Sequence, residues 1–204
     1  MHVVTVGRRA ALVEVDDAGQ ALSLALWVRE RVTAEDVVPA ARTVLVDGID
    51  DIASLAALVA GWTPGPVQAV GALVEVEVTY DGPDLATVAE AWGVAPDDVA
   101  LRHAAREYVV AFCGFSPGFA YLARADREEV PAGAGEPDVP RRATPRARVP
   151  AGSVAVAGAF TGIYPTSSPG GWQLLGTTDA ELWDQARAEP ALLPPGTRVR
   201  LVPR

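Results

Sequence analysis

The sequence predicts an α+β protein in two parts, an α/β sandwich over residues 1–82 and a β-barrel over 83–204. Strand and helix signals alternate as β-α-β-α-β through roughly the first eighty residues. Beyond Tyr108 the chain turns β-rich and is heavily punctuated by Gly and Pro. Half of the 204 residues are hydrophobic, which is enough apolar material for a real core.

In the first part, Ala11–Val15 is short and β-rich and ends in the turn composition Asp16-Asp17-Ala18-Gly19. From Ala21 to Val32, Leu22, Leu26 and Val28 recur at roughly helical spacing. Thr43–Val46 is a second strand closed by Asp47-Gly48, and Ile52–Trp62 is a second helix. Leu73–Tyr80 alternates Val74, Val76 and Val78 against Glu75, Glu77 and Thr79, so it reads as a third strand. This order fits a ferredoxin-like sandwich, with helices on one face of a mainly antiparallel sheet.

The second part opens with a helical stretch from Asp84 to Trp92. A second helix runs from Pro96 to about Ala105, where Pro96 suits the first turn and Asp97 and Asp98 complement the dipole. Strands follow at Tyr108–Cys113, Ser153–Ala157, Gly162–Tyr164, Trp172–Leu175 and Arg198–Val202. Short strands separated by turns argue for a closed or folded-over barrel. The charged, Pro-rich residues 124–150 read as a long surface excursion.

Composition excludes several functions. All 17 basic residues are Arg, so a phosphate-loop lysine, a Schiff-base lysine and a biotinyl lysine are ruled out. A net charge of -9 opposes a nucleic acid partner. One cysteine, Cys113, permits no internal disulfide, and with two histidines it builds no typical zinc site, so no metal is expected. No signal-peptide pattern opens the chain, and no run of about 18 uncharged apolar residues occurs, so a cytoplasmic protein without membrane contact is expected.

Three segments carry chemistry. In Gly114–Leu122 (GFSPGFAYL), Phe115, Phe119 and Tyr121 interleave with Pro117 and Gly118, which suits a ligand-binding loop or an aromatic plug at one end of the barrel. Pro140–Pro150 holds Arg141, Arg142, Arg146 and Arg148, whose guanidinium groups could grip carboxylate or phosphate. The competing reading is a solvated loop paired with Glu128, Glu129 and Glu136. In the third, Ser153 lacks a Gly-x-Ser-x-Gly setting and has only His103 as a base partner, so it is a poor nucleophile. Ser167–Trp172, with Gly170 and Gly171, suits a pocket wall. His103 is more often a structural residue than a catalyst in such a setting, but it could face the same pocket as the aromatic loop. Cys113 has no fixed positive charge beside it in the sequence and is expected to be inert.

Taken together, Tyr80–Leu85, His103, Tyr108, GFSPGFAYL, PRRATPR, VPAGSVAVAG, TGIYPTSSPGGW and Pro195–Val199 resemble one family over nearly the whole chain. It is that of the B-type subunit of 5-oxoprolinase, also called allophanate hydrolase subunit 1 or the KipI-type kinase inhibitor. The resemblance implies a ferredoxin-like domain joined to a cyclophilin-like barrel. It also implies work alongside two further 5-oxoprolinase subunits, a homologous cyclophilin-like C-type one and a separate A-type one, opening 5-oxo-L-proline to L-glutamate with ATP and magnesium. By the same resemblance Arg141 and Arg146 would hold anionic oxygens, and His103 would handle or orient a proton with Asp84 as a second polar group. Phe115, Pro117, Gly118, Phe119 and Tyr121 would form a pocket wall or the joint with the C-type partner, faced by Ser153, Gly170, Gly171 and Trp172. Inhibition of a sensor histidine kinase and allophanate hydrolysis are the alternatives it leaves open. Phe160 stands where a polar residue is expected, and Ala120 and Ala123–Arg127 are less glycine-rich than the pattern.

Overall fold

Residues 1–65, 72–125 and 136–204 are described by the computed structural model, and they divide into two compact units. One comprises Met1–Ala69 with Ala111–Cys113; the other comprises Val70–Val110 and Gly114–Arg204.

The first unit is a four-stranded antiparallel sheet in the order β1-β2-β4-β3, from β1 (His2–Val6), β2 (Ala10–Glu14), β3 (Asp36–Pro39) and β4 (Thr43–Asp47). Helix α1 (Ala18–Arg29) begins earlier than its periodicity suggests, because the Asp17 carboxylate accepts the Gln20 N–H at 2.8 Å and caps the first turn. Asp51 caps α2 (Ile52–Ala60) in the same way through Ser54. Alternation along the strands buries Ala11, Val13, Val37, Val44 and Val46 against Leu24, Ala25 and Val28 of α1 and Leu55 and Val59 of α2. Burial of this kind stabilises by about 25 cal/mol per Å² of apolar surface.

Leu73–Val78 corrects an expectation. This strand, β5, does not join the N-terminal sheet; it pairs in parallel with the last strand, β13 (Arg198–Pro203), in register from Leu73↔Arg198 to Val78↔Pro203. Strand β1, whose Val3-Val4-Thr5-Val6 run is rich in β-branched residues, holds an edge of the first sheet instead.

The second unit is a seven-stranded sheet in the order β12-β9-β10-β7-β6-β13-β5. Its remaining strands are β6 (Glu107–Cys113), β7 (Ala120–Arg124), β9 (Ser153–Ala157), β10 (Phe160–Ile163) and β12 (Gln173–Thr177). The sheet curls until its two edges meet. Thr79, just past β5, exchanges backbone hydrogen bonds with Thr177, and the Gly82 and Asp84 N–H groups donate to the carbonyls of Leu175 and Leu174. A side chain at position 176 would strike the Thr79 carbonyl, so glycine is required at that seam. A separate two-stranded ribbon joins β8 (Arg146–Val149) to β11 (Ser168–Gly170).

Helices α3 (Leu85–Trp92) and α4 (Pro96–Ala104) lie on one face of the curled sheet, sharing a core with Val139, Val156 and Leu175. The opposite face carries Phe119, Val149, Ala155, Ala157, Tyr164, Trp172 and Leu174. No described helix is long and apolar enough to cross a membrane.

Candidate functional site

The aromatic loop is fixed by its own backbone. Phe115 has φ 70°, and the Ser116 N–H donates to the Gly114 carbonyl at 2.8 Å, which makes Phe115 the centre of a γ-turn of the strained kind. A β-turn follows at once: the Phe119 N–H donates to the Ser116 carbonyl at 3.0 Å, with Pro117 at its second position and Gly118 at φ 82° at its third. The Gly114 N–H closes the loop onto the Phe119 carbonyl at 3.2 Å.

Phe119 is the hub of the rings. Its centroid lies 5.3 Å from Phe115, 5.1 Å from Tyr121, 5.3 Å from Tyr164 and 5.5 Å from Trp172, all edge-on. Gly162 lets this cluster sit on the β10 backbone, since a Cβ there would meet Phe119 at 2.8 Å and Trp172 at 2.9 Å. Tyr164 rests against Gly170, where a Cβ would collide with its hydroxyl.

The arginine strip is strapped beside the same tryptophan. The Arg142 N–H donates to the Gly171 carbonyl at 2.8 Å, and the Gln173 amide donates to the Pro140 carbonyl at 3.1 Å. Arg146 Nη1 donates to the Trp172 carbonyl at 3.4 Å. The Arg141 guanidinium lies over the Trp172 ring, 6.0 Å from its centroid. Trp172 therefore joins the loop and the strip.

Asp84 organises the cations. It is only 4% exposed, and its Oδ1 accepts from Arg146 at 2.8 Å and from Arg142 at 3.2 Å. Its Oδ2 accepts the Leu174 N–H at 2.7 Å, which ties the strip to β12. So the arginines pair with Asp84 and not with Glu136, which belongs to Arg106, Arg124 and, more distantly, Arg102. Glu128 and Glu129 lie outside the described residues. Arg141 and Arg148 have no carboxylate partner among the described residues; Arg148 donates to the Ser167 hydroxyl at 3.0 Å.

His103 and Asp84 do not stand together as expected. His103 is 2% exposed, with Nδ1 2.8 Å from the Tyr80 hydroxyl and Nε2 2.8 Å from that of Thr161. One ring nitrogen donates and the other accepts, and burial pushes its pKa down to about 3. Thr161 pairs with Val156 on the helix-covered face, whereas its neighbour Phe160 pairs with Ala157 on the aromatic face. Adjacent strand residues face opposite ways, so the sheet separates His103 from the aromatic loop. The same alternation puts buried Ser153 with Ala155, across the sheet from His103, and leaves it without that base. Burial raises the Cys113 thiol to about 11, so it stays protonated.

The sequence does not single out Arg142, Tyr164 or Thr161 for the roles they hold. Each carries a signal, since Tyr164 and Thr161 lie within TGIYPTSSPGGW and Arg142 lies within PRRATPR and its concentration of arginines; what the sequence does not show is the partner of each. Among the described residues no three His, Cys, Asp or Glu side chains converge as a metal site.

Residues 1–193 match the model of the carboxyltransferase domain, subdomain C and D. The chain belongs to this family. A curated relative from Escherichia coli O157:H7, the B-type subunit of 5-oxoprolinase, is 48% identical over 134 residues, covering 64% of this chain and 58% of the relative. The chain thus matches little more than half the length of that relative. The crystal structure of TTHA0988 superposes with a TM-score of 0.71 at 35% identity, over 96% of this chain and 40% of that one. The Kluyveromyces lactis urea carboxylase matches with a TM-score of 0.69 at 19% identity, over 99% of this chain and 21% of that one, which shows the shared fold. The family resemblance seen in the motifs agrees with these matches, and the curled mixed α/β sheet is the family's architecture.

Proposed function

We propose that this chain is the B-type subunit of a cytoplasmic, ATP-dependent 5-oxoprolinase, opening 5-oxo-L-proline to L-glutamate together with the A-type and C-type subunits. In this reading the first unit is a ferredoxin-like sandwich and the second a cyclophilin-like barrel. The observation that carries it is the junction at Trp172, where an aromatic wall meets Arg141, a cation with no carboxylate partner among the described residues. The Escherichia coli relative, by its name a 5-oxoprolinase component, supports the choice of reaction.

The overall reaction consumes water and ATP and releases glutamate, ADP and phosphate. A lactam resists hydrolysis. Phosphorylating its oxygen with ATP activates the ring carbon, so that one water adds there and the C–N bond breaks to free the amine. A second water then displaces phosphate from the resulting acyl phosphate. This chain's part is to bind and orient. The ring cluster excludes water from one side, and Arg141 holds anionic oxygens of the substrate or the phosphoryl group. Asp84 neutralises Arg142 and Arg146, which hold the strip in place. His103 orients Tyr80 and Thr161 from the far side of the sheet. The exposed guanidiniums of Arg141 and Arg148 fit phosphate oxygens. Among the described residues no three His, Cys, Asp or Glu side chains gather to hold a magnesium ion.

The test is reconstitution with the A-type and C-type subunits from the same organism, scoring glutamate formed from 5-oxoproline with ATP. Product that requires all three chains is expected. Absence of product from a complex that assembles would overturn the assignment.

A further inference from the structure

The sheet of the first unit has a second face, which its own helices do not use. Ala11, Val13, Val44 and Val46 turn toward α1 and α2, so by alternation Leu12 and Leu45 point the other way. Register then sets one apolar row across all four strands: Val4 stands opposite Leu12, Leu12 opposite Leu45, and Leu45 opposite Val38. Val6, opposite Ala10, widens the row on β1. Leu12 and Leu45 are half-buried between their neighbours, while Val4, Val6 and Val38 are exposed. Those three valines are half of the six large hydrophobic side chains, Met1 aside, that stand exposed among the described residues. A scattered exposed side chain is ordinary, but a contiguous row marks a contact surface.

Charge gathers at one end of the strands. Asp36 on β3 lies directly opposite Asp47 on β4, a cross-strand pair of like charge, which opposes pairing. Their carboxylates accept the neighbouring Val37 and Gly48 N–H groups and have no cation partner among the described residues. Val6, Ala10, Asp47 and Asp36 share one line of register, so the turn between β1 and β2 lies at this same end. That turn carries Arg8, exposed and with no carboxylate partner among the described residues. The lone cation thus stands beside one edge of the sheet and the two lone carboxylates beside the other. A two-fold axis parallel to the strands, passing between β2 and β4, exchanges these edges. Two copies laid face to face about it put Val4 on Val38 and Leu12 on Leu45. The same operation brings Arg8 of each copy to Asp36 and Asp47 of the other. The face therefore complements itself in both its apolar row and its charges.

We infer that the outer face of the N-terminal sheet is the contact by which two copies of this chain form a symmetric dimer. Four strands about 4.8 Å apart, with five residues of about 3.4 Å each, span roughly 19 by 17 Å. With the relief of the side chains, two such faces bury on the order of 1,000 Å² in all, the lower bound for a specific interface. Such a dimer dissociates in the micromolar range, at about 10 μM. None of its residues belongs to the candidate site, and the inference does not rest on the 5-oxoprolinase reading.

The experiment is sedimentation equilibrium of the purified full chain from about 1 to 200 μM, a range that brackets the expected constant. A reversible monomer–dimer equilibrium is expected. Val4→Glu and Val38→Glu should each raise the dissociation constant at least about tenfold, because a carboxylate then enters the apolar row. Arg8→Glu should weaken the dimer about fivefold or more, and so should Asp36→Arg combined with Asp47→Arg. All three charge reversals together should bring the constant back to within about threefold of wild type, since opposite charges meet again. That recovery also separates lost association from lost folding, because a misfolded chain regains nothing. A wild-type chain that stays monomeric throughout the range overturns the inference and leaves the face to a different protein. A dimer held within about twofold of wild type by Val4→Glu and Val38→Glu overturns it as well, placing the contact elsewhere. Failure of the triple reversal to recover what its parts lost overturns the two-fold arrangement. Each of these results leaves the proposed function standing.

Discussion

Arg141 and Arg146 occupy equivalent places in the two Pro-Arg pairs, yet their surroundings give them different work. Arg146 is held by a nearly buried carboxylate and a backbone carbonyl, so removing it takes from Asp84 the shorter of its two arginine contacts and leaves Arg142 at 3.2 Å. Arg141 lies over a ring face. Arg146→Ala should therefore destabilise the chain by about 2–3 kcal/mol, since one partner of a largely buried pair is left behind. Arg141→Ala should leave the melting temperature within a degree or two yet lower kcat/KM of the reconstituted complex about tenfold or more. Thermal melts and steady-state kinetics on the two variants check this, and the reverse pattern would exchange their roles. His103 supplies a pH test. Its folded pKa, about 3, lies below the ordinary 6.5, so the unfolded chain takes up this proton first as pH falls. The stabilisation is complete above about pH 7 and is lost between pH 6.5 and 3. Between about pH 7 and 5 the wild type should lose on the order of 2 kcal/mol, before most carboxylates titrate. Denaturant melts of His103→Gln should show a much flatter profile across that interval.

At the scale of elements, the site is a turn and a strap gathered at one tryptophan. The turn was legible because Ser-Pro-Gly-Phe spells a β-turn, with Pro at the second position and Gly at the third, and the rings around it mark a cluster. The strap was legible only as a concentration of arginines. Its partner was not, because Asp84 precedes Arg142 and Arg146 by 58 and 62 residues, and no local pattern links them. Nor did the sequence reveal that His103 is screened from the loop, since that follows from the pairing of Thr161 with Val156. If Asp84 sets the strap, Asp84→Ala should cost about 3 kcal/mol and free the segment. Hydrogen exchange would register this at the Arg142 amide, which donates to Gly171, by a large loss of protection with β9 and β10 unaffected. Protection unchanged at Arg142 would mean that backbone bonds alone hold the strap.

At the scale of the whole molecule, the strands of the barrel half were mostly visible in the sequence, because alternation and Gly/Pro punctuation are local. Pairing is not local. Leu73–Val78 reads as the continuation of the preceding β-α-β-α pattern, but its partner is the final strand, with Leu73 opposite Arg198. Val76 and Val78 are buried there alongside Val199 and Leu201. The strand also leads into the seam, where Thr79, Gly82 and Asp84 bond β12. A fragment starting at residue 83 would thus lack an edge strand and most of the seam, exposing the edges of β13 and β12. A fragment starting at residue 72 keeps every strand of the curled sheet. We therefore expect 72–204 to fold cooperatively with dispersed amide resonances, and 83–204 to aggregate or remain without a cooperative transition. Cooperative unfolding of 83–204, with a midpoint close to that of 72–204, would show that β5 is dispensable and that the barrel closes without it.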